Sequence, residues 1–188
     1  MAKKEAHGEI DWTTEFAAIG EFVVCFEHIV GTLRLQAAHI FHIRGLADDD
    51  SRLTGIVFGY NHMTVKPILE CFVSMVNELL TKNKEAADTI EELRRFKKKF
   101  LEQIERRNEI LHSTFWIGDG VDFQLFEGDY LPMLAIKDSP SKKGYGIKKT
   151  VTSIDQLKED IKKLKALRKE FALLVPKIHA LIEKRRSG

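Results

Sequence analysis

The chemistry-bearing stretch of this chain reads Arg106-Arg107-Asn108-Glu109-Ile110-Leu111-His112-Ser113-Thr114-Phe115-Trp116. Ahead of it, Ile90, Leu93, Phe96, Phe100 and Ile104 keep a helical spacing, and Leu111 and Phe115 resume it. Counting on from Ile104, the next inward position is 108, an asparagine, flanked by Arg107 and followed one turn later by His112. A buried polar group costs about 1 kcal/mol or more unless paired, so a polar cluster on an inward face needs a reason. Attack on a phosphodiester by the neighbouring 2′-OH of RNA would supply one. A histidine takes or returns a proton near neutral pH. A guanidinium fork stabilises charge on the pentacoordinate phosphorus. An asparagine orients either partner. No metal or other cofactor is called for.

Arg and His five positions apart is a cheap pattern. With 10 Arg and 7 His, roughly 0.4 such pairs arise by chance, and Arg34 to His39 is a second one here. Requiring Asn directly after Arg leaves Arg107 and excludes Arg34, which precedes Leu35. Arg107-Asn108-x-x-x-His112 near the end of a long helix resembles the signature of the HEPN superfamily, as do the His-Ser-Thr-Phe-Trp continuation and a hairpin before a final helix. The resemblance is specific over about ten residues and architectural over the rest. It implies an antiparallel four-helix bundle and a homodimer, with residues 108–115 near the two-fold axis. It also implies a metal-independent endoribonuclease of toxin–antitoxin, phage-defence or RNA-processing type, with an antitoxin as partner in the toxin group. Arg107, Asn108 and His112 would be the catalytic residues. Other members are non-catalytic modules that bind RNA, nucleotides or a partner protein. In one toxin subgroup an antitoxin nucleotidylates a tyrosine two residues after the histidine; that position is Thr114 here.

Blander alternatives stand beside this. Asn108 could be a satisfied core amide that fixes helix register. Glu109-x-x-His112 is half of a di-iron carboxylate motif, but the chain has no second Glu-x-x-His. His39 and His42 have metal-ligand spacing without a third ligand in sequence. On an ideal helix Arg107 and His112 lie about 140° apart, so their convergence needs a distorted helix, a long arginine reach or a second subunit.

The elements that must position these residues follow from spacing. Trp12, Phe16, Ile19, Val23, Phe26, Val30, Leu33, Ala37 and Ile40 form a seam, widened by Phe22, Ile29 and Phe41, that predicts a helix near 12–46. A second helix is expected over 64–82, with Thr64 as cap and Pro67 in its first turn. A third is expected over 84–117, ended by Gly118 and Gly120. Residues 118–151 read as an insertion, with a β-hairpin within 121–137, a turn at 138–141, and a basic loop carrying Lys142, Lys143, Lys148 and Lys149. A capping box, Ser153-x-x-Gln156, opens a last helix near 153–185 with a stripe of Ile154, Leu157, Ile161, Leu164, Phe171, Leu174, Ile178 and Leu181, kinked at Pro176. The fold class is mainly α, one domain over 1–188.

Composition bounds the rest. The chain has 188 residues, enough for a sizeable core, and only 4 Pro and 12 Gly, which argues against disorder. The longest uncharged run, Leu53 to Val65, is too short to span a bilayer, so no membrane association is expected. The N-terminus has no apolar signal region, and Cys25 and Cys71 sit singly in apolar stretches, so a reducing cytoplasm is expected. The net charge of +2 hides a split. Residues 1–93 hold 8 Lys/Arg and 15 Asp/Glu (−7), and residues 94–188 hold 22 and 13 (+9). Either the second half presents a face for RNA, with Arg94, Arg95, Lys98 and the four insertion lysines as contacts, or its helix surfaces use Lys for solubility.

Overall fold

The computed structural model describes residues 13–43, 64–81, 83–111, 114–116, 134–141, 144–151 and 154–187. The protein is mainly α. Among the described residues the long helices are α1 (Thr13–Ile43), α2 (Val65–Leu80), α3 (Ala87–Leu111) and α4 (Ile154–Ser187). Three short strands, β1 (Thr114–Trp116), β2 (Leu134–Ser141) and β3 (Gly144–Val151), lie between α3 and α4 in the chain.

Pro67 stands in the first turn of α2, where its missing N–H would have had no intrahelical partner. Thr64 takes the cap position with extended backbone, but its side chain makes no capping bond. Leu80 and Asn83 close a tight turn, and the Asn83 side chain accepts from Glu85 N–H at 3.0 Å, opening a 3₁₀ turn (Lys84–Ala86) that leads into α3. Ser153 of the expected capping box lies outside the described residues. Gln156 donates to Asp160 Oδ1 at 3.2 Å. α4 continues through Pro176.

Around the core the order is α1, α2, α3, α4, each helix packed on the next and α4 closing on α1. Phenylalanines fill the centre. Phe171 stacks on Phe96 at 4.5 Å and meets Phe72 edge-on at 5.7 Å, while Phe100 links Phe96 to Phe26. Cys25 is buried and Cys71 half-buried, both as free thiols, and burial pushes the Cys71 thiol up from its ordinary value.

The directions of the helices correct the antiparallel expectation. Cross-helix pairs Glu21–Lys165, His28–Arg168 and Gln36–His179 rise together, so α1 and α4 run the same way. Phe72–Phe171 and Leu79–Arg185 set α2 parallel to α4 as well. Glu85–Lys184, Glu92–Lys177, Lys99–Glu170 and Arg106–Asp160 run in opposite order, so α3 alone among the described helices is reversed. The long segment between α1 and α2 makes this topology attainable. Twenty residues can reach about 66 Å, enough to return along a helix before starting another in the same direction.

Three further boundaries differ from expectation. α3 ends at Leu111, not 117, and Thr114-Phe115-Trp116 is a strand. β-branched and aromatic residues prefer a pleated surface, and here that preference outweighs the continued helical spacing. Val121 to Leu125, the expected first strand of a hairpin, lies outside the described residues. The paired strands are β2 and β3, antiparallel with Leu134 opposite Val151 and Ser141 opposite Gly144, and β1 adds on the other side of β2 along Leu134 to Ile136. Asp138 to Ser141, expected as a turn, is thus the end of a strand. Among the described residues β1 pairs with β2 only over Leu134 to Ile136, so no described strand lies on that side of Pro140, a position where proline is tolerated.

Candidate functional site

The last two turns of α3 place Arg106 and Arg107 in different surroundings. The buried side of α3 runs Thr89, Leu93, Phe96, Phe100, Gln103, Ile104 and Ile110. Arg107, not Asn108, therefore occupies the inward position between Gln103 and Ile110. This corrects the count from Ile104: the seam advances by three there, and Leu111 is left exposed.

Arg107 lies over the face of Phe26, its guanidinium carbon 5.9 Å from the ring centroid. Nη1 donates to Asn108 Oδ1 at 3.3 Å. Nη2 is 3.8 Å from Glu27 Oε1, an ion pair too long for a hydrogen bond. Nε is buried and has no hydrogen-bond partner. The side chain is 27 % exposed, so its terminal nitrogens are within reach of an incoming anion. Asn108 is half-buried beside it. His112 lies outside the described residues.

Arg106 has the opposite commitment. Its Nε donates to Asp160 Oδ2 at 2.8 Å, and its Nη1 lies 3.4 Å from Glu109 Oε2. Asp160, only 5 % exposed, also accepts from Gln156 and has Lys163 Nζ 3.6 Å from its Oδ1. This network fastens α3 to α4 below Arg107. Sequence reasoning missed Asp160, although the signal existed: it sits three residues after Leu157, a charge at an inward position of an apolar stripe.

Of the expected RNA contacts, Arg94, Arg95 and Lys98 stand on α3 and Lys148 and Lys149 on β3. Arg94 is exposed and paired with Glu91 at 3.5 Å. Arg95 lines an open groove of about 340 Å³ between α3 and α4, whose rim pairs Lys99 with Glu170 and Lys177 with Glu92. Lys98 is exposed, about 180° round α3 from Arg107. These three therefore face away from the Arg107 side. Lys148 and Lys149 stand on β3, not in a loop, opposite Lys137 and Ile136. Lys142 and Lys143 lie outside the described residues.

Much of the charge split is consumed inside the fold. Among the described residues six ion pairs join an acid of residues 1–93 to a base of residues 94–188: Glu21–Lys165, Glu27–Arg107, Glu70–Lys97, Glu85–Lys184, Glu91–Arg94 and Glu92–Lys177. His39, one of the two histidines with metal-ligand spacing, stacks on His179 at 4.8 Å, and His179 Nε2 contacts Gln36 Oε1 at 2.7 Å. Burial and the neighbouring His39 hold His179 below its usual pKa. Among the described residues no group of three His, Cys, Asp or Glu could hold a metal ion. In comparisons with known proteins, no family model, curated protein or solved structure matches the chain.

Proposed function

We propose that this chain is a HEPN-type helical domain with a strand insertion before its last helix, acting as a metal-independent endoribonuclease and working as a homodimer. The observation that carries the reading is Arg107. A guanidinium on the buried side of α3, with an unpartnered Nε and its outer nitrogens only loosely held by Glu27, is costly unless it is used. Asn108 fixes one of its nitrogens, and His112 follows at the helix end. In this reading His112 takes the proton from the 2′-OH or returns one to the leaving 5′-oxygen. Arg107 leaves Glu27 for the phosphorane and stabilises its charge with paired donors. The bond from the 2′-oxygen to phosphorus forms as the bond to the 5′-oxygen breaks, giving a 2′,3′-cyclic phosphate and a 5′-hydroxyl. The RNA contacts best compatible with that site are the insertion lysines, since Arg94, Arg95 and Lys98 face elsewhere. A cytoplasmic toxin or phage-defence effector held by an antitoxin is the setting the resemblance implies.

The Glu27–Arg107 pair favours one alternative, a non-catalytic module binding RNA or a partner protein, in which the guanidinium stays neutralised. Purified wild type, His112→Ala and Arg107→Lys, each incubated with mixed RNA and excess EDTA, separate the two. Cyclic-phosphate ends from wild type alone support the nuclease. Cleavage unchanged in His112→Ala, or abolished by the chelator, removes this mechanism.

A further inference from the structure

We propose that Arg107 works between two holders: Glu27 on α1, which parks its guanidinium, and Gln103 one turn earlier on α3, whose side-chain oxygen takes the Nε–H when an anion displaces Glu27. Gln103 is thus a positioning residue that acts through Arg107. The inference deepens the anion-binding role given to Arg107 above and rests on it, but it does not rest on cleavage.

The observation is a pair of complementary orphans. Arg107 Nε, a donor, and Gln103 Oε1, an acceptor, are both buried and both lack a hydrogen-bond partner. Buried polar groups are paired as a rule, so each orphan calls for a use. Gln103 is only 8 % exposed and stands in a stripe with Phe96, Phe100 and Ile104, where an apolar side chain would pack without leaving a polar atom unmatched. Residues four apart on a helix stand one above the other, and long side chains lean towards the helix N-terminus. Arg107 therefore leans over the turn that carries Gln103, which makes the amide oxygen the natural partner of Nε–H once the guanidinium is free to turn.

What keeps the orphans apart is the present hold on the far end of the guanidinium. Nη1 donates to Asn108 Oδ1 and Nη2 faces Glu27 Oε1, and because the group is planar these two contacts fix where Nε–H points. The hold is loose, since 3.3 Å and 3.8 Å are both long for N–H···O contacts. Glu27 is 45 % exposed, so water competes for it. Phe26, next to Glu27 in the chain, supports the guanidinium by its face, a contact that leaves rotation in the guanidinium plane free. An anion arriving from the exposed side takes one hydrogen from each Nη, as a fork allows. Asn108 keeps the second Nη1 hydrogen, and Gln103 accepts the one on Nε. A neutral amide is the acceptor this task needs. A carboxylate at 103 would hold Nε as well, but it would offset the charge that draws the anion.

Heteronuclear NMR of the Arg107 Nε–H tests the proposal without RNA. Glu27→Gln removes the parking charge and should move that proton downfield, as a new hydrogen bond does. Adding Gln103→Met, which keeps the side-chain length without the acceptor, should abolish the shift. Inorganic phosphate added to wild type should move the proton the same way. Phosphate should bind about tenfold more weakly to Gln103→Met than to wild type, and Gln103→Met should change nothing further in an Arg107→Met background. The urea midpoint of Gln103→Met should stay level or rise, because the orphaned acceptor is gone; a purely structural glutamine would lower it. An Nε–H that stays in place both in Glu27→Gln and in phosphate-loaded wild type overturns the proposal. So does a shift that survives Gln103→Met, or a Gln103→Met protein that is destabilised. Wild type that shows the shifts but leaves RNA uncleaved rejects the nuclease and keeps the proposal; wild type that cleaves RNA while Nε–H does not move does the reverse.

Discussion

Arg106 and Arg107 are adjacent, yet their surroundings predict opposite responses to substitution. Arg106 and Asp160 form a nearly buried pair with good geometry. Asp160→Ala leaves the Arg106 guanidinium with one partner fewer in a poorly solvated place, and should cost about 3 kcal/mol. A urea midpoint at neutral pH measures it. Arg107 instead occupies an inward position with an unpartnered Nε over an aromatic ring. Arg107→Met fits the same volume, removes the orphaned donor, and should leave stability unchanged or raise it by about 1 kcal/mol. If the nuclease reading holds, the same variant loses cleavage, a trade of stability for function expected at an active site. Loss of both stability and activity would make Arg107 a structural residue. The sequence made this pair visible as polar residues on an apolar seam. It did not reveal which of them faces inward, because a three- or four-residue step after Ile104 decides that, and both steps occur in helices.

The helices were legible because their stripes are long. Leu157, Ile161, Leu164, Phe171, Leu174 and Ile178 are all buried as the spacing implied, and α2 ends within two residues of expectation. Two things were not legible. The first half of α1 carries apolar residues on both sides, so the seam through Phe16 could not be told from the one through Ala18 and Phe22. The strand at Thr114 to Trp116 carries Phe115 at a spacing that continues the helical period of α3 in the sequence. Packing between α1 and α4 also contains a titrating contact that no pattern announced. Burial first, and then His39 stacked on it, lower the pKa of His179 from the usual 6.5, with Glu183 opposing. The unfolded chain therefore binds this proton more tightly than the folded one. The neutral His179 is fully accommodated above about pH 6.5, and stability is lost as pH falls through the lowered folded value. The denaturation midpoint should drop between pH 7.5 and 5, and His179→Gln should flatten that drop. An unchanged slope would assign the acid response to other groups. In the same core, Phe171→Ala removes the ring joining α2, α3 and α4 and should cost about 4 kcal/mol.

Across the whole molecule, the charge split first suggested a basic face, but the folded chain redistributes it. Acids of the first half meet bases of the second across helix boundaries, so a formal excess of nine positive charges in residues 94–188 is not a free excess. What remains on α3, Arg94, Arg95 and Lys98, points away from Arg107, whereas the insertion lysines belong to the segment that follows His112 in the chain. One RNA strand reaching Arg107 cannot at the same time lie along the far side of α3 without wrapping the protein. Each phosphate neutralised contributes a slope of about −0.7 to the dependence of log affinity on log salt for a single strand. Lys98→Ala and Arg95→Ala should therefore weaken RNA binding little and leave that slope as it is in wild type. Lys148→Ala and Lys149→Ala should lower the slope by about 0.7 for each phosphate contact removed. Fluorescence anisotropy on a labelled single-stranded RNA from 50 to 300 mM salt reads all four variants. A slope that falls with Lys98→Ala and is indifferent to both insertion lysines would move the RNA to the far side of α3 and detach it from Arg107.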